Sequence, residues 1–183
     1  MMAYADIVQP VQAKIPVLAL VAYSGSGKTT LLSQVLPLLK QQGLMVGMIK
    51  HCHHRFDIDQ PGKDSYVLRK AGVDQMLVAS NRRWALMTET PALDEEPDLD
   101  ALLSQLDQKS LDLILLEGFK HACVPKIEVH RPLLGKPLLC TQDEQIIAVA
   151  TDQPISLPRS VNLLNLNEPE QVAEFIVTEV FSN

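Results

Sequence analysis

Residues 22–30, AYSGSGKTT, hold the densest group of side chains that could do chemistry. Ala22-x-x-x-x-Gly27-Lys28-Thr29 matches the Walker A pattern, with alanine where the first glycine often stands. Such a loop turns successive backbone N–H groups onto one anion, and Gly25 and Gly27 supply the unusual backbone angles that this needs. A helix that starts at Lys28 aims its N-terminus at the same phosphates. In this pattern Ser24, Gly25, Ser26, Gly27, Lys28, Thr29 and Thr30 surround the phosphates. Lys28 reaches the terminal ones, and the Thr29 hydroxyl is a ligand for Mg²⁺. The chemistry also needs an acid at the end of a neighbouring strand, close to the metal. LDLILLEGF places Glu117 there, a glutamate in place of the usual aspartate. Lys28 and Glu117 are therefore the candidate catalytic pair, and Thr29 and Glu117 the candidate metal ligands. The alternative for Glu117 is a strand-end carboxylate solvated in a loop. Asp112, at the other end of the same run, is expected to lie far from the phosphates.

The elements that must position these groups alternate between strand and helix. IPVLALVA (15–22) is a continuous apolar run, suited to a strand buried on both faces. Leu31, Leu32, Val35, Leu36 and Leu39 then fall at helical spacing, with Pro37 expected to kink the helix and Gly43 to close it. LMVGMIKH (44–51) reads as the next strand, and 62–72 as a short helix ending at Gly72. DQMLVAS and RWALMTE read as two strands joined around Asn81. The leucines at 99, 102, 103 and 106 make an amphipathic helix. LDLILLE, KIEVH and QIIAVATD are further strands. The closing helix has Asn167 as a cap, Glu170 reaching back, and Val172, Phe175, Ile176 and Val180 facing inward. This order predicts an α/β fold, a three-layer sandwich like those of P-loop NTPases, with a mostly parallel, partly mixed central sheet. One nucleotide-binding domain is expected over 15–183 after a loosely held leader, 1–14. Residues 52–63 are expected to be irregular or protruding, and to pack against a partner subunit.

Composition narrows the function further. A net charge of −6 argues against a nucleic-acid partner, which usually leaves a basic footprint. Three cysteines, few and odd in number, fit a reducing compartment rather than a disulfide framework. No apolar run is long enough to cross a membrane, and the N-terminus lacks the build of a signal peptide, so a cytoplasmic protein is expected.

Other groups admit more than one reading. His51, Cys52, His53 and His54 suggest a metal site, but lack the spaced pairs typical of zinc. Their place after the second strand also suits a segment that senses a nucleotide's γ-phosphate. Asp152 lies just past a late apolar strand, where a carboxylate could accept from guanine N1–H and its 2-amino group. It is equally readable as a turn aspartate before Pro154.

AYSGSGKTTLL, IKHCHH, DIDQPGKDSYVLRKAG, RWALMTETP, LDLILLEGFKH and AVATDQP together resemble the MobB family of molybdopterin-guanine dinucleotide biosynthesis proteins. The resemblance runs from about Ile15 to the C-terminus, with no motif quoted for it in HRPLLGKPLLCTQDE (130–144). It implies a homodimer that binds GTP with Mg²⁺ and hydrolyses it weakly at most. Its implied partners are molybdopterin and the guanylyltransferase that joins GMP to molybdopterin. By that pattern Gly25, Gly27, Lys28, Thr29 and Thr30 hold phosphates, Glu117 lies near the metal, and Asp152 is the candidate for the base. Two competing readings are a P-loop kinase using Lys63, Asp64 or Arg69 at its acceptor site, and a metallochaperone GTPase using the His/Cys group.

Overall fold

The computed structural model describes residues 11–52, 56–90, 96–157 and 160–181. The chain divides into two compact units, 1–51 with 97–183 and 52–96, so the domain expected over 15–183 contains both.

The larger unit is built on six strands in the order β2-β5-β1-β6-β7-β8. They are β1 (Val17–Val21), β2 (Val46–Lys50), β5 (Leu113–Glu117), β6 (Lys126–His130), β7 (Ile146–Thr151) and β8 (Asn162–Asn165). Every pairing among them is parallel. Parallel strands are joined by crossovers that cover both faces of the sheet, which is why β1 and β5 are apolar at nearly every position. Alternation sorts their side chains. Leu18, Leu20, Leu113 and Leu115 face α1 (Lys28–Gln41) and α4 (Pro169–Phe181), meeting Leu31, Val35, Leu39, Val172 and Ile176. Val17, Ala19, Ile114 and Leu116 face the opposite layer, which includes Leu103 of α3 (Leu99–Ser104). The antiparallel part of the fold is separate, a two-stranded sheet in the smaller unit.

α1 contains Pro37 and ends at Gln41, just before Gly43. Several local features differ from the sequence reading. β8 has no counterpart in the sequence reading. The closing helix begins at Pro169, and the Glu168 carbonyl accepts from Gln171 and Val172, so Glu168 stands where Asn167 was expected to cap. The Asn167 N–H instead donates to the Asn165 side chain at 3.0 Å. Residues 11–14, assigned to the loose leader, are tied down. The Gln12 N–H donates to Asp100 and the Lys14 N–H to Gln108, both at 2.8 Å, and Val11 and Ala13 pack against the core. Residues 1–10 and the Val180 side chain lie outside the described residues.

The smaller unit holds α2 (Asp64–Lys70) and the hairpin of β3 (Gln75–Ala79) and β4 (Trp84–Thr88). Its centre is electrostatic. Arg69 lies 2.5 Å from Asp57, 2.7 Å from Glu89 and 3.9 Å from Asp59. The hydrogen bond from Arg69 holds the Asp57 carboxyl below the usual carboxylate range, and the two acids raise the arginine further. Residues 56–63 form neither helix nor strand, and Phe56 and Ile58 are exposed.

Candidate functional site

In a parallel sheet, ligands bind beyond the carboxyl ends of the strands, where the strand order reverses. Here that point is the end of β1, flanked by β5 and β6. Loop 22–27 leaves β1 at this point and runs straight into α1. Gly25 (φ 80°) and Gly27 (φ 95°) both take left-handed backbone angles that a side chain would strain. The Ser26 hydroxyl donates to the Tyr23 carbonyl at 2.8 Å, which closes the turn. The Gly27 carbonyl accepts the first helical bond, from Leu31 N–H at 2.9 Å. Ser24, Thr29 and Thr30 are exposed, Lys28 is half-buried, and Ser26 is buried.

Parallel register brings the acid to the loop. Leu20 pairs with Glu117, and Glu117 pairs with Lys50 on its other side. Glu117 is 8% exposed, yet both of its oxygens are engaged: Oε2 lies 3.0 Å from Lys50 Nζ, and Oε1 accepts from the Thr29 hydroxyl at 3.4 Å. The structure therefore brings the two expected metal ligands together. A hydroxyl and a carboxylate are hard oxygen donors of the kind Mg²⁺ takes, so the residues present fit that ion. Asp112 sits at the opposite end of β5, where its side chain accepts from Met45 N–H at 2.8 Å. Burial lowers the pKa of Lys28 from its ordinary 10.5; Glu117 opposes the shift, while Lys120 and Lys50 add to it.

Past Glu117, Gly118 (φ 94°) and Phe119 (φ 48°) turn the chain sharply. A Cβ at Gly118 would stand 3.0 Å from that of His51. Phe119 is buried, and its ring lies 5.2 Å from that of His51. His53 and His54 lie outside the described residues, and among the described residues no group of three or more His, Cys, Asp or Glu side chains could hold a metal.

Asp152 lies at the same edge, one position past the Thr151–His130 register pair, and it has a partner that the sequence reading missed. Arg131 Nη1 donates to Asp152 Oδ2, and Arg131 Nε donates to the Ser26 carbonyl at 3.1 Å. Arg131 also lines a cleft of about 190 Å³ together with Gly27, Thr30, Leu31, Gln34, Leu166, Asn167 and Pro169. The only sequence signal for Arg131 was its place directly after a strand, in a segment where the sequence reading quoted no motif.

Known proteins share this sequence pattern and this fold. The sequence profile of the family described as molybdopterin guanine dinucleotide synthesis protein B matches residues 17–152. A molybdopterin-guanine dinucleotide biosynthesis adapter protein of Escherichia coli is 52% identical over 164 residues, covering 89% of this chain and 92% of that protein. The adapter protein of the same name from Haemophilus influenzae is 45% identical over 163 residues, covering 89% and 88%. Among solved structures, one described as molybdopterin-guanine biosynthesis protein B superposes with a TM-score of 0.69 at 28% identity, covering 89% of this chain and 99% of that one. The Bacillus subtilis MobB structure has a TM-score of 0.71 at 23% identity, covering 91% and 98%, and speaks for the fold.

Proposed function

Because the chain belongs to the molybdopterin guanine dinucleotide synthesis protein B family, we propose that it is an adapter in the biosynthesis of molybdopterin-guanine dinucleotide. It holds GTP and Mg²⁺ on loop 22–30 and assists the guanylyltransferase that joins GMP to molybdopterin. The observation that carries this reading is the meeting of loop 22–27, Lys28, Thr29 and the buried Glu117 at the carboxyl ends of β1 and β5. The backbone N–H groups of the loop and the Lys28 ammonium hold the phosphates, Thr29 and Glu117 hold the metal, and Asp152 stands at the base end. Mg²⁺, when bound, neutralises phosphate charge. Hydrolysis is slow, because the carboxylate is a glutamate held by Lys50 rather than one free to organise water.

The protein acts as a cytoplasmic homodimer. Support for the dimer comes from the smaller unit, where Leu77, Trp84 and Leu86 share one face of the hairpin and are 59%, 67% and 41% exposed. No described helix is long and apolar enough to cross a membrane. The kinase reading loses one of its acceptor residues, since Arg69 is committed to Asp57 and Glu89.

The test is reconstitution. Purified guanylyltransferase, molybdopterin and Mg²⁺–GTP are combined with and without this chain, and dinucleotide product is measured over time. The expected result is faster product formation with the chain, lost with Lys28→Ala. Equal rates with and without the chain refute the adapter role.

A further inference from the structure

The two carboxylate oxygens of Asp152 are not available to an incoming ligand. Oδ2 accepts from Arg131, and Oδ1 is buried with no hydrogen-bond partner among the described residues. The guanidinium is placed differently. The Arg131 side chain is 34% exposed against 13% for Asp152. Nε and Nη1 are engaged, and Nη2 makes no hydrogen bond among the described residues. Nη2 would stand 3.5 Å from a Cβ at Gly27, so the guanidinium lies against the phosphate loop itself. The cleft that Arg131 lines begins at Gly27 and Thr30 and continues to Asn167 and Pro169. The cleft thus offers room beside the loop for the nucleoside of a ligand whose phosphates the loop would hold.

We propose that Arg131 is the base-reading residue of this cleft, with its free Nη2 donating to the acceptor edge of guanine and Asp152 serving as the positioning residue that holds the guanidinium. The inference rests on the nucleotide reading of the loop and deepens it: the base meets a donor rather than a carboxylate. Guanine presents O6 and N7 as adjacent acceptors. Adenine keeps N7 but places an amino donor where O6 would be, against the arginine. Two bonds hold the guanidinium in place before any ligand arrives, one to the loop carbonyl and one to Asp152. Its orientation is thus set by the same loop that sets the phosphates. A carboxylate reading would need Asp152 Oδ1, which is buried, to become exposed to the base.

The test uses the full chain with Mg²⁺ and a set of nucleotides, read by calorimetry. Inosine triphosphate keeps O6 and N7 but lacks the 2-amino group; 7-deaza-GTP lacks only the N7 acceptor. The expected result is inosine triphosphate within about threefold of GTP and 7-deaza-GTP about tenfold weaker, the scale of one lost hydrogen bond to a charged group. The reverse pattern, or equal affinity for all three, overturns the proposal. Arg131→Met should bind GTP and 7-deaza-GTP equally while keeping its affinity for tripolyphosphate within twofold. An equal loss for tripolyphosphate would mean that Arg131 only shapes the loop through Ser26, and it too overturns the proposal. Asp152→Ala should bring the GTP to 7-deaza-GTP ratio towards one, and Asp152→Asn, which keeps an acceptor, should restore it. If a variant fails to fold, the nucleotide series on the unchanged chain decides alone. GTP binding that is insensitive to Lys28→Ala overturns the nucleotide reading, and this inference with it, whatever the nucleotide pattern.

Discussion

Glu117→Gln separates the two things that Glu117 does. In the structure it is an ion-pair partner of Lys50 and a hydrogen-bond partner of Thr29. The Lys50 side chain is 50% exposed, so solvent screens the pair and its worth to the fold is about 0.5–1 kcal/mol. The glutamine keeps an acceptor for Thr29 and a similar volume, so the substitution should lower the melting temperature by only about 2–4 °C for a chain of this size. Its effect on ligand binding is larger and changes sign with the metal. With Mg²⁺, loss of the carboxylate removes a charged metal partner, and removal of such groups typically costs about 10–100-fold in metal affinity. Without Mg²⁺, the carboxylate only repels the phosphates, so the glutamine should bind GTP as well as the parent or better. The assay is GTP titration of both proteins in Mg²⁺ and in a chelator, beside thermal melts. A loss of equal size in both conditions, or a fall of 10 °C in melting temperature, would refute the metal role and leave Glu117 as a structural anion.

Four further outcomes follow from particular contacts. Burial lowers the Lys28 pKa, and a bound phosphate favours its charged form, so GTP affinity should fall with rising pH from below 10.5; a flat profile to pH 10.5 contradicts this. Lys126 is 2% exposed and pairs with Asp143 at 2.6 Å, so Asp143→Asn should destabilise the fold by about 3 kcal/mol in denaturant melts by leaving a buried charge behind. Gly47→Ala should cost about 1–3 kcal/mol, because its Cβ would stand 2.7 Å from Leu111 Cδ1; a neutral substitution would mean that Leu111 moves freely. Trp84→Glu should give monomers in sedimentation velocity if the exposed hairpin face is the dimer surface, and an unchanged sedimentation coefficient would move that surface elsewhere.

The turn of loop 22–27 was legible because its backbone takes left-handed angles at Gly25 and Gly27, φ 80° and 95°, which favour glycine. The place of Glu117 was legible because it is the one acid at the end of an otherwise apolar strand. The register that pairs it with Leu20 and Lys50 supplied the geometry. Arg131 was not legible, because its partners Ser26 and Asp152 lie 105 and 21 residues away and meet only when β6 and β7 align in parallel. β6 itself was deceptive. KIEVH alternates polar and apolar residues like a half-exposed strand, yet all five are buried. The reason is that residues after 131 fold back over it, so that Glu128 accepts from the N–H groups of Leu139 and Cys140 at 2.9 Å. β8 escaped notice because an edge strand of four residues with asparagine at both ends carries little periodicity. Only Leu164 in it is buried. The cap at Glu168 was hidden by Asn167, the better capping residue on propensity alone, although Pro169 marked the true first position of the helix.

The central claim is that loop 22–30 holds GTP by its phosphates, and titration calorimetry of the parent chain and Lys28→Ala against Mg²⁺–GTP tests it most directly. Removing the ammonium deletes charge-assisted bonds to the terminal phosphates. Saturable binding near one GTP per chain is expected, weakened at least tenfold by the substitution, with circular dichroism unchanged. Equal affinity of the two proteins for GTP, with both folded, would contradict it.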